Sequence, residues 1–260
     1  MKHVDLHNHT EFSFDSVMTI EEAIEAAKKY DLVFGIAEHY DSNDKRDDRV
    51  MDFDRDEYFK AYTKYRQQGD VLLGIEIGMD TRDEYVSASR KAALNYPFDV
   101  VIGSAHKIEG KSIGPLLKER PMDKEQFHTT YLLDVVKQLE ANKYIDVFAH
   151  IDYPTRYTKF SVNETYYEEF PELYNKVFDK LIELNIALEI NNRMLMYVNF
   201  YSALLSVVKG YINRGGKYVT IASDAHSPKD VGVRYHLSRK LAEEAGAQVV
   251  YFRNRQRVLD

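Results

Sequence analysis

The chain contains no cysteine. Disulfides and thiolate metal sites are therefore both excluded, any metal has to be held by His, Asp or Glu, and a reducing, cytoplasmic setting fits this composition. No apolar run reaches about 18 residues, which argues against a membrane-spanning helix. The N-terminus carries Lys2, His3, Asp5, His7 and His9 where a secretory signal would carry an apolar stretch. Low-complexity tracts, close repeats and Pro/Gly/Ser linkers are missing as well, so nothing marks a domain boundary and residues 1–260 read as a single domain. Excess positive charge is also lacking. The formal charge of −7 and a pI near 5.8 argue against a nucleic-acid binder, because phosphate backbones are usually met by a basic surface. A small phosphorylated substrate stays open, since bound divalent ions can reverse the local sign.

What is present is an ordinary soluble composition, 44% hydrophobic and 30% charged, in a chain long enough for one large α/β barrel. Short apolar runs alternate with helical patterns. The strands read as Val4 to Leu6, Leu32 to Ala37, Val71 to Ile77, Phe98 to Ser104, Tyr144 to Ala149, Ile186 to Ile190 and Tyr218 to Ala222, with Val249 to Phe252 as an eighth or an edge. Between them, Thr19 with Glu22 and Thr81 with Glu84 read as capping boxes, Asp54 starts a helix with Tyr58, Ala61, Tyr62 and Tyr65 on one stripe, and a long helix is expected over Asp123–Asn142. Ser227 and Pro228 read as the N-cap and first residue of a helix running to Gly246. The charged stretch 41–56 is a solvated loop or a lid. Alternating strands and helices, with no Gly-rich dinucleotide turn, favour a parallel barrel over a doubly wound sheet, and place the site at the carboxyl ends of the strands.

Six of the nine histidines fall at or just past those ends: His7, His9, His39, His106, His150 and His226. His3, His128 and His236 do not, and read as surface or satisfied core imidazoles. In a strand, residues i and i+2 share a face, so His7 with His9, and Asp224 with His226, can each grip one ion. Either pair alone is a weak signal; convergence of separate strand ends on one barrel mouth is a stronger one. Glu76, near the end of the third strand, would be costly to bury unpaired and so needs a cation or donors. Glu189 on the sixth strand either meets a substrate amino group or braces the barrel.

The run Asp5-Leu6-His7-Asn8-His9-Thr10, the lone His39, Glu76 in GIEIG, His106 in GSAH, His150 in AHID and Ser223-Asp224-Ala225-His226 together resemble the PHP (polymerase and histidinol phosphatase) family over nearly the whole chain. The resemblance implies a distorted, TIM-like seven-stranded (β/α) barrel holding three divalent metals, Zn, Mn or Fe. By position, His7, His9, Glu76 and Asp224 would hold the first, Glu76 with His106 and His150 the second, and Asp15, His39 and His226 the third. Within the family the chain is most similar to histidinol-phosphate phosphatases, as judged by FSFDS after the first motif, the stretch His150 to Tyr157, Glu189-Ile190-Asn191-Asn192 and the closing Tyr251-Phe252-Arg253-Asn254-Arg255. Pro154 and an Asp at position 15 depart from the common pattern.

The implied activity is hydrolysis of a small phosphate monoester, L-histidinol phosphate, by a hydroxide held between two ions and attacking phosphorus in line. Arg156, Arg193 and His226 are the candidate catalytic residues. The two arginines follow the fifth and sixth strands and could fork onto phosphate oxygens, or lie on the surface. Competing readings are a phosphoesterase acting on nucleotides, an amidohydrolase, and a regulatory metal-binding module without catalysis. The fourth strand lacks the lysine an amidohydrolase typically uses, and none of the nine ligand positions is vacated.

Overall fold

Local chemistry sets where the helices begin. At Thr19 the capping box forms as expected: the Thr19 hydroxyl accepts from Glu22 N–H (3.3 Å) while the Glu22 carboxylate accepts from Thr19 N–H (3.0 Å), and α1 runs Ile20–Lys28. The computed structural model describes residues 3–41 and 51–260, with only the backbone of 45–46 and 49–50 between them. Most of the suspected lid therefore lies outside the described residues. Asp54 caps α2 (Arg55–Gln68), which buries Tyr58 and Tyr62. α3 is Asp83–Leu94, α4 Ile113–Glu119, α5 Lys124–Ala141, α6 Pro171–Glu183, α7 Val198–Asn213 and α8 Tyr235–Ala245.

Two helix starts differ from expectation. Thr81 does not cap α3; the Asp80 carboxylate takes Arg82 N–H (2.9 Å) and also grips the Arg82 guanidinium, so Arg82 is the N-cap and Glu84 has no box partner. Ser227 and Pro228 do not open α8. Residues 227–233 form turns because Gly232 adopts a left-handed φ of 68° and gives its N–H to Asp5 Oδ2 (3.2 Å) and Ser223 Oγ (3.0 Å). The helix can start only beyond that tether.

The barrel strands are β1 (His3–Asp5), β2 (Leu32–Tyr40), β3 (Val71–Gly78), β4 (Val100–Ser104), β5 (Val147–Phe148), β6 (Ala187–Asn191) and β7 (Tyr218–Ala222), all parallel neighbours in that order. The fifth is shorter than its sequence suggests, although Asp146 before it still bonds on both sides, its N–H to Val101 O (2.7 Å) and its carbonyl accepting from Ala187 N–H (3.0 Å), while its carboxylate accepts from Val101 N–H (2.8 Å) and Arg255. Beyond β1 the chain keeps pairing on both sides. Leu6 N–H reaches Ile221 O (3.0 Å), Asp224 N–H reaches His7 O (2.8 Å), His9 N–H reaches Ala225 O (2.9 Å) and Ala37 N–H reaches Asn8 O (2.8 Å). These bonds join the first and seventh strands and close the α/β barrel. The lower half of β7 instead pairs with β8 (Gln248–Arg253), which turns back into β9 (Gln256–Leu259), a hairpin where the sequence suggested a single run.

Alternation along the strands sorts their side chains. Val4, Leu6, Leu72, Val100, Ile102, Val147, Ala149 and Ala187 fill the barrel interior below the site, while Phe34, Ile36, Leu73, Ile75, Ile77, Val101 and Leu188 pack outward among residues of the helices. Glu76 and Glu189 share the inward face with Leu72 and Ala187, and so stand above this apolar plug. Among the described residues no helix is long and apolar enough to cross a membrane.

Candidate metal centre

Glu76 is the hub. It is buried, and both oxygens are surrounded by imidazoles: Oε1 lies 3.0 Å from His150 Nε2 and 3.3 Å from His106 Nε2, and Oε2 lies 2.6 Å from His39 Nδ1, 3.4 Å from His7 Nε2 and 3.7 Å from His9 Nε2. Ser104 Oγ donates to Oε1 as well. Burial raises the cost of its charge, yet His39, His7 and His106 hold the carboxyl well below the usual range. The same attraction works in reverse. Against the pull of burial, Glu189 and Glu76 hold His7 well above its ordinary value, and Glu76 and Asp15 do so for His39. His9 is pushed the other way, by burial and by repulsion from His39 and His226.

Three groups of ligand atoms lie within 4.8 Å of one another: His7, His9 and Glu76; Glu76, His106 and His150; and His9, His39 and His226. Asp15 lies at 3.5 Å from both His39 Nε2 and His226 Nε2, beside the third group. Asp224 Oδ1 lies 3.3 Å from His9 Nε2 and 3.7 Å from His226 Nδ1. All nine residues singled out in the sequence thus meet at one place. The grouping differs from the expected sets: His9 stands in both the first and the third, Asp224 lies beside His9 and His226 and outside the first group, and Asp15 lies beside the third and not within it.

The outer faces of the rings decide which nitrogen points inward. His7 Nδ1 donates to Glu189 Oε2 (2.8 Å), His106 Nδ1 to Asp41 Oδ2 (3.0 Å), His9 Nδ1 to Ser13 Oγ (3.1 Å) and His226 Nδ1 to the Asp224 carbonyl (3.0 Å). Ser13 in turn donates to Glu38, whose carboxylate also takes Thr10 N–H. With the Nδ1 proton fixed outside, each of these imidazoles presents Nε2 to the cavity, the form that ligates a metal. His7 Nε2, His9 Nε2 and Glu76 Oε2 are buried with no hydrogen-bond partner. Buried polar atoms left without a partner in this way, in an all-nitrogen-and-oxygen set, fit divalent ions of the Zn, Mn or Fe type, which would take the place of any ring proton.

Two of the site residues sit in left-handed backbone, His150 at φ 26° and Asp224 at φ 51°. Such positions cost energy for a residue with a side chain and are held only by their surroundings. Here the restraints are Glu189 Oε1, which accepts from His150 N–H (3.3 Å), and the His7 carbonyl, which accepts from Asp224 N–H.

Above the cluster opens a cavity of about 430 Å³ whose wall includes Tyr153, Arg156, Tyr157 and Arg193. Arg156 gives Nη2 to Asp224 Oδ2 (2.7 Å) and stacks over the Tyr153 ring at 4.9 Å. Arg193 is looser, 3.7 Å from the same oxygen and 48% exposed. His3 binds Asp260, His128 is buried against Thr165 (2.9 Å) and His236 is exposed on α8, so these three stay outside the site, as their positions in the sequence indicated. Asp41, Glu38 and Ser13 were missed from sequence. Only Asp41 carries any local sign, two residues after His39 at the end of β2.

The PHP domain profile matches residues 5–193. Over 251 residues the chain is 36% identical to a probable histidinol-phosphatase of Clostridium acetobutylicum, covering 96% of this chain and 97% of that one. A histidinol-phosphatase of Lactococcus lactis is 28% identical over 258 residues, 95% of this chain and 92% of the other. A crystal structure of histidinol phosphate phosphatase from Lactococcus lactis, in complex with zinc, L-histidinol and phosphate, superposes with a TM-score of 0.87 at 23% identity and covers 99% of both chains.

Proposed function

Because the chain belongs to the PHP domain family, we propose that it is a histidinol-phosphatase, a phosphoric monoester hydrolase that converts L-histidinol phosphate to L-histidinol and phosphate in histidine biosynthesis. The observation that carries this reading is the pairing of Glu76, ringed by five imidazoles, with two arginines over one cavity. The name of the substrate comes from the relatives, whose similarity runs the length of the chain.

Three divalent ions, Zn, Mn or Fe, would be held by His7, His9, Glu76 and Asp224, by Glu76, His106 and His150, and by Asp15, His39 and His226, with His9 at the junction of the first set and the third. Ions in such a site supply a water of lowered pKa as nucleophile and offset the charge of the phosphate oxygens. The chain's own residues do the rest. Arg156 and Arg193 follow neighbouring strands and line the cavity, so a phosphate could take a forked contact from each. Asp224 holds Arg156 in place beforehand, which lowers the ordering cost on binding. His226, beside Asp15 at the third set, would act with the third ion on the departing alcohol. The cavity volume accommodates a phosphorylated amino alcohol, and the apolar plug beneath keeps water from entering through the barrel.

Phosphate release from L-histidinol phosphate and from nucleoside monophosphates, measured side by side with zinc- or manganese-loaded protein, tests the assignment. Release at least about 100-fold faster from L-histidinol phosphate is expected; equal, slow rates on all esters would leave a general phosphoesterase and remove the specific substrate.

A further inference from the structure

Asp41 stands one residue beyond β2, next to Gly78, the last residue of β3, as the register of His39 with Glu76 and Tyr40 with Ile77 requires. Its side chain lies flat over Gly78, and a Cβ built on that glycine would overlap the Asp41 carboxylate. Gly78 has no left-handed φ, so its lack of a side chain serves space and not backbone freedom. The space lets the carboxylate reach His106 Nδ1 at 3.0 Å, while His106 Nε2 faces Glu76 Oε1 at 3.3 Å. Asp41 N–H is tied to Met51 O (2.9 Å), which fixes the backbone from which the carboxylate extends. Asp41 is 1% exposed, does not line the cavity and is too far out to meet a substrate there.

We infer that Asp41 is a positioning residue for the second ion, acting through His106, and that Gly78 is its seat. The carboxylate keeps the His106 proton on Nδ1 and the ring in the plane that aims Nε2 at Glu76. Outer carboxylates on ligand histidines make the ring a better donor and commonly contribute one to two orders of magnitude in metal affinity. This inference rests on the reading of His106 as a ligand.

Asp41→Asn keeps the shape and weakens the acceptor. Gly78→Ala leaves every charged group intact and displaces the Asp41 carboxylate sterically. Zinc uptake by each full-length protein, titrated against a chromophoric chelator, should show one class of ion bound 10- to 100-fold more weakly in both variants and the remaining ions bound as in wild type. In zinc-loaded, ¹⁵N-histidine-labelled wild type, the His106 Nδ1–H resonance should be downfield and slow to exchange with solvent. Both variants should lose it. Wild-type uptake of zinc together with unchanged affinity and an unchanged His106 signal in folded variants would overturn the inference alone. Wild-type protein that takes up no zinc would overturn the metal reading and this inference with it. A variant that melts early but keeps wild-type zinc affinity would reduce Asp41 to a packing role and likewise overturn it.

Discussion

Arg156 has a hydrogen bond to Asp224 and an aromatic face beneath it, and it lines the cavity. A phosphate arriving there meets a guanidinium whose orientation is already set. Loss of one such preorganised donor usually costs about 100-fold in rate or more. Arg156→Gln is therefore expected to lower kcat/KM for L-histidinol phosphate about 100-fold with zinc content unchanged, and Arg193→Gln, at a more exposed position, only about 10-fold. Steady-state kinetics with parallel metal analysis decides the matter; a loss below about threefold for Arg156→Gln would place it outside the phosphate's reach. At this scale the sequence was legible where a residue type is rare and its position repeats. Imidazoles at strand ends and Glu76 inside an otherwise apolar strand stand out in that way. The groups that aim them do not. Asp41, Glu38 and Ser13 are common residue types in polar stretches, and their roles depend on contacts between elements, such as Ser13 with His9 and Glu38, that spacing along the chain does not encode.

Helix α5 carries a histidine outside the metal centre whose titration should be felt as stability. His128 lies buried between Phe127, Phe160 and Phe170 with its ring hydrogen-bonded to Thr165, and burial, aided by Lys124, lowers its pKa to about 4. The unfolded chain binds this proton near pH 6.5, so between that value and about 4 the unfolded state holds more protons and stability falls with falling pH. The full effect is up to about 3 kcal/mol, complete below the folded pKa and absent above pH 6.5. His128→Gln, which keeps a partner for Thr165, should flatten the decline: melting temperatures of variant and wild type should converge or cross on going from pH 7 to pH 4.5. A constant offset across that range would refute the assignment. Elements were legible to the degree that their signals are local. The boxes at Thr19 with Glu22 and at Asp123 with Gln126 form from residues three apart. The start of α8 failed because Gly232 is held by Asp5, from the opposite end of the chain. Local preference for a helix at Ser227-Pro228 is outweighed by that distant tether.

In the whole molecule, the alternation of strand and helix identified a parallel barrel, but sequence could not reveal how the ring closes. The hairpin of β8 and β9 occupies the lower edge of β7, and only the upper edge is left for the first strand. Directly above that seam sit six of the nine proposed ligands: His7, His9 and Asp15 on one side, Asp224 and His226 on the other, with His39 beside them. Ions bound by the folded state alone stabilise it by mass action, about 4 kcal/mol at a thousandfold excess over Kd, or roughly 10 °C in a protein of this size. Chelation of the metal-loaded protein is expected to lower Tm by about that amount, with recovery on adding zinc back; calorimetry showing the same Tm with and without chelator would contradict it.

The seam also sets an order of events in time. Leu6 and Asn8 emerge from the ribosome long before Ile221 and Ala225, and until the seventh strand follows, the edge that the first strand needs does not exist. His9 therefore waits through nearly all of synthesis for its carboxylate partner Asp224, and filling of the ion sets that straddle the seam becomes a closing event of folding, a clasp that fastens only when the last barrel strand is in place.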